Sequence, residues 1–221
     1  MTLAGPPDPA IPVWCLSDRR ADPQNFTPQD ESEAARARRF RRAEDRFDFL
    51  HSRAKARSLV ASLEGVEESS VILSSFDDDG PEASGIPGLS VSWSRSGPFA
   101  AAAASRQLGV AIDIERLLPR DFRPMLAMIA TEAERSALDG LGEADALTAF
   151  YRLWTAKEAV LKWRGKGLRD GAKSVSLPSE FLCAQSDHTL LIDSYGPVWI
   201  RIVASGPEVV CTLAFSGKTP I

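Results

Sequence analysis

Cysteine and histidine are scarce in this chain. Of 221 residues three are cysteine, Cys15, Cys183 and Cys211, far apart and odd in number, and the two histidines, His51 and His188, stand alone. With no CxxC and no His/Cys cluster, the spacing argues against a zinc site of Cys/His type, and the thiols read as reduced and cytosolic. A long apolar run is also missing. The blandest stretch, Phe99 to Ala104, is mostly alanine and far short of the ~18 residues that a membrane-spanning helix needs. The opening segment MTLAGPPDPAIPVW has neither a basic start nor an apolar stretch, so it does not read as a secretory signal.

What is present describes a globular protein. Hydrophobic residues make up 44% and charged residues 25%, with a net charge of −4; Leu, Val, Ile and Phe recur along the chain, against disorder. The length suits one large domain or two of about 110 residues. The charge is uneven. Between Arg36 and Arg57 lie nine basic residues and three acids. On composition that is a solvated helix face or, on an acidic protein, a site for one specific anionic ligand rather than for nucleic acid at large.

Hydrophobic spacing predicts a strand over Ile11–Leu16. Helix follows over Gln29–Leu63, as one helix or as two broken near Ala43, and stops at Gly65. Strands are expected at Val71–Phe76, Leu89–Trp93, Phe99–Ala104 and Leu108–Ile114, with a turn-rich stretch over Asp77–Gly88. Phe122–Trp163 reads as helical, with a capping box at Thr131–Glu134 and a long final helix over Asp145–Trp163, ended by Gly165 and Gly167. Short strands are expected at Ser174–Leu177, Thr189–Asp193, Val198–Val203 and Val209–Phe215. The order is α+β and looks doubled, with a candidate boundary at Ser105–Gln107. The expected halves are 1–104 and 105–221.

Two places carry chemistry. Asp113 and Glu115, at i and i+2 of a strand, point to one face about 6.6 Å apart; they form either a solvated strand face or a pair that a hard divalent cation would relieve. Glu158 and Lys162, four apart on the long helix, form either a surface ion pair or part of a site. Taken together, Ala111-Ile-Asp-Ile-Glu115, then Trp154-Thr-Ala-Lys-Glu-Ala-Val-Leu-Lys162, then Gly165-Lys-Gly-Leu168, with 43 residues between Asp113 and Lys157, resemble the signature of the 4′-phosphopantetheinyl transferases. The likeness is to the large, surfactin-synthetase-activating type and covers roughly residues 12–168.

That resemblance implies two similar α+β halves in a pseudo-twofold arrangement, each a small, mostly antiparallel sheet with a long helix. It implies a Mg²⁺-dependent enzyme that moves the phosphopantetheine arm of coenzyme A to a serine of an acyl or peptidyl carrier protein and releases 3′,5′-ADP. Such an enzyme is cytoplasmic and monomeric, with no nucleic-acid or membrane partner. By position, Asp113, Glu115 and Glu158 match the metal carboxylates, and Lys162 matches the lysine on the diphosphate. Glu134 matches a glutamate taken as general base, and Arg36 a basic residue on the 3′-phosphate. The family's Ser-His-Ser, whose histidine touches phosphate, becomes Ser94-Arg95-Ser96, so that Ser94 and Arg95, with Arg36, Glu158 and Lys162, are the residues the resemblance gives to coenzyme A; a register two residues earlier would put Trp93 in place of Arg95, but the first keeps Gly97 in step. The usual Gly-Lys-Pro is reduced to Gly80-Pro81, and Ala111 replaces a common glycine. These departures leave open a diverged homologue that binds coenzyme A or a carrier without transferring anything. A nucleic-acid module built on the Arg36–Arg57 helix is disfavoured by the overall acidity and the lack of interleaved surface aromatics.

Overall fold

A computed structural model describes residues 3–4, 12–21, 24–76, 80–84, 86–165 and 171–216. Two four-stranded antiparallel sheets dominate it. The first has the order β1 (Leu3–Ala4), β2 (Val13–Asp18), β6 (Phe99–Ser105), β5 (Ser90–Ser96), and the second the order β7 (Gly109–Arg116), β10 (Val209–Ser216), β9 (Gly196–Ser205), β8 (His188–Asp193). A small hairpin pairs β3 (Ile72–Phe76) with β4 (Gly80–Ser84). The larger sheets divide the chain between Ser105 and Gly109.

Each large sheet carries one long helix, α2 (Ala43–Glu64) on the first and α5 (Glu143–Trp163) on the second. The two sheets face each other. Leu16, Ala101 and Ala103 of the first meet Ile112, Ile114 and Leu213 of the second. On the opposite face of β6, Ala102 and Ala104 pack under Ala56 and Val60 of α2. A strand of alanines suits this place, because it is covered on both faces and small side chains let both layers approach. The second sheet turns Ala111, Ile200 and Ala214 toward Phe150, Leu153 and Val160 of α5. The layers therefore run helix, sheet, sheet, helix.

The break expected near Ala43 falls at residues 39–42, between α1 (Glu31–Arg38) and α2. Helix α2 ends at Gly65 in the left-handed region, φ 66°, which glycine enters without cost. The basic run is only partly a solvated face. Arg53 and Arg57 are buried on Glu33, Arg57 at 2.8 Å, while Arg36, Arg39, Arg41 and Arg46 are exposed. Two expectations fail. Gly80–Ser84 is a strand rather than turn, because β3 supplies its ladder. Ser174–Leu177 is not a strand; a 3₁₀ turn at Ala172–Ser174 follows Gly171, and the Leu177 N–H goes to a side chain, Glu134, at 2.8 Å.

Candidate active site

The site forms where the end strands of the two sheets, β5 and β7, lie alongside each other and α5 closes over β7. On β7, Ile112 and Ile114 point into the layer between the sheets, so Asp113 and Glu115 point the other way, toward α5. Asp113 is buried and Glu115 half-buried. Trp154, Glu158 and Lys162 follow at four-residue steps along one face of α5. Thr155 and Thr212, hydroxyl to hydroxyl at 2.7 Å, fix the helix to β10, whose Thr212 pairs with Asp113 in register.

Lys162 Nζ donates to Asp113 Oδ1 at 2.6 Å and to Ser94 Oγ at 3.3 Å, and Ser94 Oγ donates to the same Asp113 oxygen at 2.8 Å. Ser96 Oγ donates to Glu115 Oε2 at 2.6 Å. Asp113 Oδ2 is buried and, among the described residues, has no hydrogen-bond partner. Burial pushes the Glu115 carboxyl above its ordinary range and nearby Asp113 adds to this, while hydrogen bonds from Ser96 and Trp154 pull it back. Glu158 is also raised, first by burial and then by Asp113 and Glu115, with Lys162 opposing. Burial works against the Lys162 ammonium, but Asp113, Glu158 and Glu115 outweigh it and hold its pKa above the lysine value.

Asp113, Glu115 and Glu158 therefore share one neighbourhood, with one ammonium as their counter-charge. Among the described residues no group of three His, Cys, Asp or Glu side chains is gathered as a metal set; Lys162 is ion-paired with Asp113, one of the carboxylates expected to hold an ion. Yet Asp113 Oδ2 is buried with no hydrogen-bond partner among the described residues, and one ammonium faces three carboxyls, two of them raised in pKa. A hard divalent cation bound through carboxylates and phosphate oxygens fits that deficit.

The other expected residues lie elsewhere. Arg95 points from the opposite face of β5, since its neighbours Ser94 and Ser96 face the carboxylates. Its guanidinium stacks on Phe40, 5.0 Å from the ring centre. Burial lowers its pKa, Asp48 and Asp45 raise it, and Arg36 adds to the lowering, which places Arg36 and Arg95 within one electrostatic patch. Glu134 belongs to neither group. Its Oε2 takes the Thr131 N–H at 2.7 Å and the Lys157 ammonium at 2.7 Å, and its Oε1 takes Leu177 N–H. The capping box is as expected, but this carboxylate is a structural tie and not a free base. Gly165 is described, but Lys166 to Leu168 lie outside the described residues, as do the side chains of Gly80-Pro81. Trp154, on the same face of α5, acts on Glu115 through its indole and lowers the carboxyl's pKa.

The sequence model of the 4′-phosphopantetheinyl transferase superfamily matches residues 109–200. That segment holds Asp113, Glu115, Glu158 and Lys162. A Synechocystis sp. protein provisionally named a 4′-phosphopantetheinyl transferase is 29% identical over 79% of this chain and 72% of its own. The 4′-phosphopantetheinyl transferase HetI of Nostoc sp. is 32% identical over 62% of this chain and 59% of its own. The 4′-phosphopantetheinyl transferase Sfp of Bacillus subtilis is 25% identical over 78% and 75%. The matched segment carries β7 and α5, which bring Asp113, Glu115, Glu158 and Lys162, so likeness and site coincide: residues 109–200 of this chain are similar to the 4′-phosphopantetheinyl transferase superfamily.

Proposed function

We propose that the protein transfers the 4′-phosphopantetheine arm of coenzyme A to a serine of an acyl or peptidyl carrier protein, with Mg²⁺, as a monomeric cytoplasmic enzyme whose halves divide after residue 104. The observation that supports this reading best is the buried Asp113 carboxylate, unpartnered at Oδ2, facing the charges of Glu115 and Glu158. In the reaction the serine oxygen bonds to the β-phosphorus of coenzyme A, the bond to the bridging oxygen breaks, and 3′,5′-ADP departs as the serine gives up its proton.

Asp113, Glu115 and Glu158 are the residues that would hold Mg²⁺. The chemistry such an ion would supply there is neutralisation of the diphosphate and stabilisation of the leaving oxygen. This chain's own residues supply the rest by positioning and charge. Lys162, kept protonated by its carboxylate neighbours, is the cation of α5 that can turn from Asp113 to a diphosphate oxygen and stabilise charge that grows there. Arg95, on the far face of β5, and Arg36 of α1, whose charge acts on it, are suited to the 3′-phosphate, because a guanidinium is permanently charged and binds phosphate through two N–H groups.

Mass spectrometry of an apo carrier protein incubated with this protein, coenzyme A and Mg²⁺ tests the proposal. The carrier should gain the mass of one phosphopantetheine arm. Coenzyme A binding without any mass gain would leave a binding protein only.

A further inference from the structure

The sequence Ser90-Val-Ser-Trp-Ser-Arg-Ser96 places four serines at alternate positions of β5, all on one face. That face lies along β7, and every serine of the ladder bonds to it. The first two act on backbone. Ser90 Oγ accepts the Val110 N–H at 3.0 Å and Ser92 Oγ accepts the Ile112 N–H at 3.1 Å. β7 is the end strand of its sheet, so these amides face away from β10 and would otherwise be left without a partner. The last two act on side chains, Ser94 on Asp113 Oδ1 and Ser96 on Glu115 Oε2. Halfway along, the ladder changes from a seam between two sheets into a mount for two carboxylates.

We propose that Ser94 and Ser96 are positioning residues for the divalent cation: each hydroxyl holds one oxygen of its carboxylate and so fixes the direction of the other. This rests on the magnesium reading above. A hydroxyl donating to a carboxylate at 2.6–2.8 Å is a strong, charge-assisted bond that selects one side-chain orientation. The unpartnered Asp113 Oδ2 is the consequence, since Ser94 and Lys162 both converge on Oδ1 and leave the second oxygen presented. Ser94 thus acts on the carboxylate as well as, or in place of, the coenzyme A contact that family position implies. Partners that orient ligands in this way typically carry a 10–100-fold share of metal affinity.

Binding of Mn²⁺ to the full-length, coenzyme A-free protein, followed by the electron paramagnetic resonance of the free ion, tests this apart from activity. Ser94→Ala and Ser96→Ala should each weaken Mn²⁺ binding roughly tenfold or more, and Ser96→Thr, which keeps the hydroxyl, should restore it. Ser90→Ala and Ser92→Ala should lower the melting temperature while leaving Mn²⁺ affinity near wild type. Should Ser96→Ala fail to fold, Ser96→Cys, close in volume but a weak donor, gives the same comparison. Wild-type binding that Ser94→Ala and Ser96→Ala leave unchanged, or that Ser90→Ala and Ser92→Ala weaken equally, overturns the inference alone. A wild-type protein that takes up no Mn²⁺ overturns it together with the magnesium reading.

Discussion

Lys157 and Glu134 form a fully buried ion pair, Nζ to Oε2 at 2.7 Å, between α5 and α4 (Glu132–Asp139). The lysine's other two hydrogen bonds go to the carbonyls of Ile129, at 2.9 Å, and Ala172, at 3.0 Å. Three segments of chain are thus tied by one ammonium, and both oxygens of its carboxylate partner are engaged, Oε2 by Lys157 and the Thr131 N–H and Oε1 by the Leu177 N–H.

The first prediction concerns this pair. Breaking a buried pair from one side strands the other charge, at a cost of about 3–5 kcal/mol. Glu134→Gln and Lys157→Met should each lose about that much in urea unfolding, while the double variant Glu134→Leu/Lys157→Met should recover a large part of it. Transfer abolished in a Glu134→Gln protein of unchanged stability would restore Glu134 as a base.

A second prediction separates the two faces of β5. Arg95→Ala and Arg36→Ala should raise the KM for coenzyme A by roughly tenfold to a hundredfold, the size of a lost charged hydrogen bond, with kcat changed much less. With 3′-dephospho-coenzyme A as substrate both penalties should vanish. An Arg95→Ala penalty that persists on the dephospho substrate would assign Arg95 to the diphosphate instead.

The third is a pH dependence. Burial pushes the Glu33 carboxyl up, but the Gln29 N–H and the guanidiniums of Arg53 and Arg57 outweigh it and hold its pKa below the ordinary 4.5. A carboxyl depressed by folding adds stability above its unfolded value, and that stability is lost as pH falls through the folded value. Glu33→Gln should therefore melt well below wild type at neutral pH, and the gap should narrow as pH drops below 4.5. A gap that stays constant across this range would mean that Glu33 acts through packing alone.

How far the sequence carries this account depends on the range over which its residues act. Helix α5 and its face of Trp154, Glu158 and Lys162 follow from four-residue spacing, and the shared face of Asp113 and Glu115 from strand alternation; that the two faces make one site came from the family resemblance and not from periodicity. The capping box at Thr131–Glu134 was legible for the same reason. Its second partner was not, because Lys157 reaches Glu134 from another helix. The serines of β5 visibly share a face, but nothing local says that β7 lies against it. Arg53 and Arg57 read as surface charge until Glu33, on a separate helix, is folded beneath them. Ser174–Leu177 alternates polar and apolar residues as a strand does, but it pairs with no strand among the described residues.

The most direct measurement is carrier modification by Asp113→Asn, a change that keeps the shape and removes the charge. If the carboxylate cluster drives transfer, this variant should melt close to wild type, retain coenzyme A binding, and add no phosphopantetheine to the apo carrier at any Mg²⁺ concentration. Carrier modified at the wild-type rate by Asp113→Asn would contradict the account.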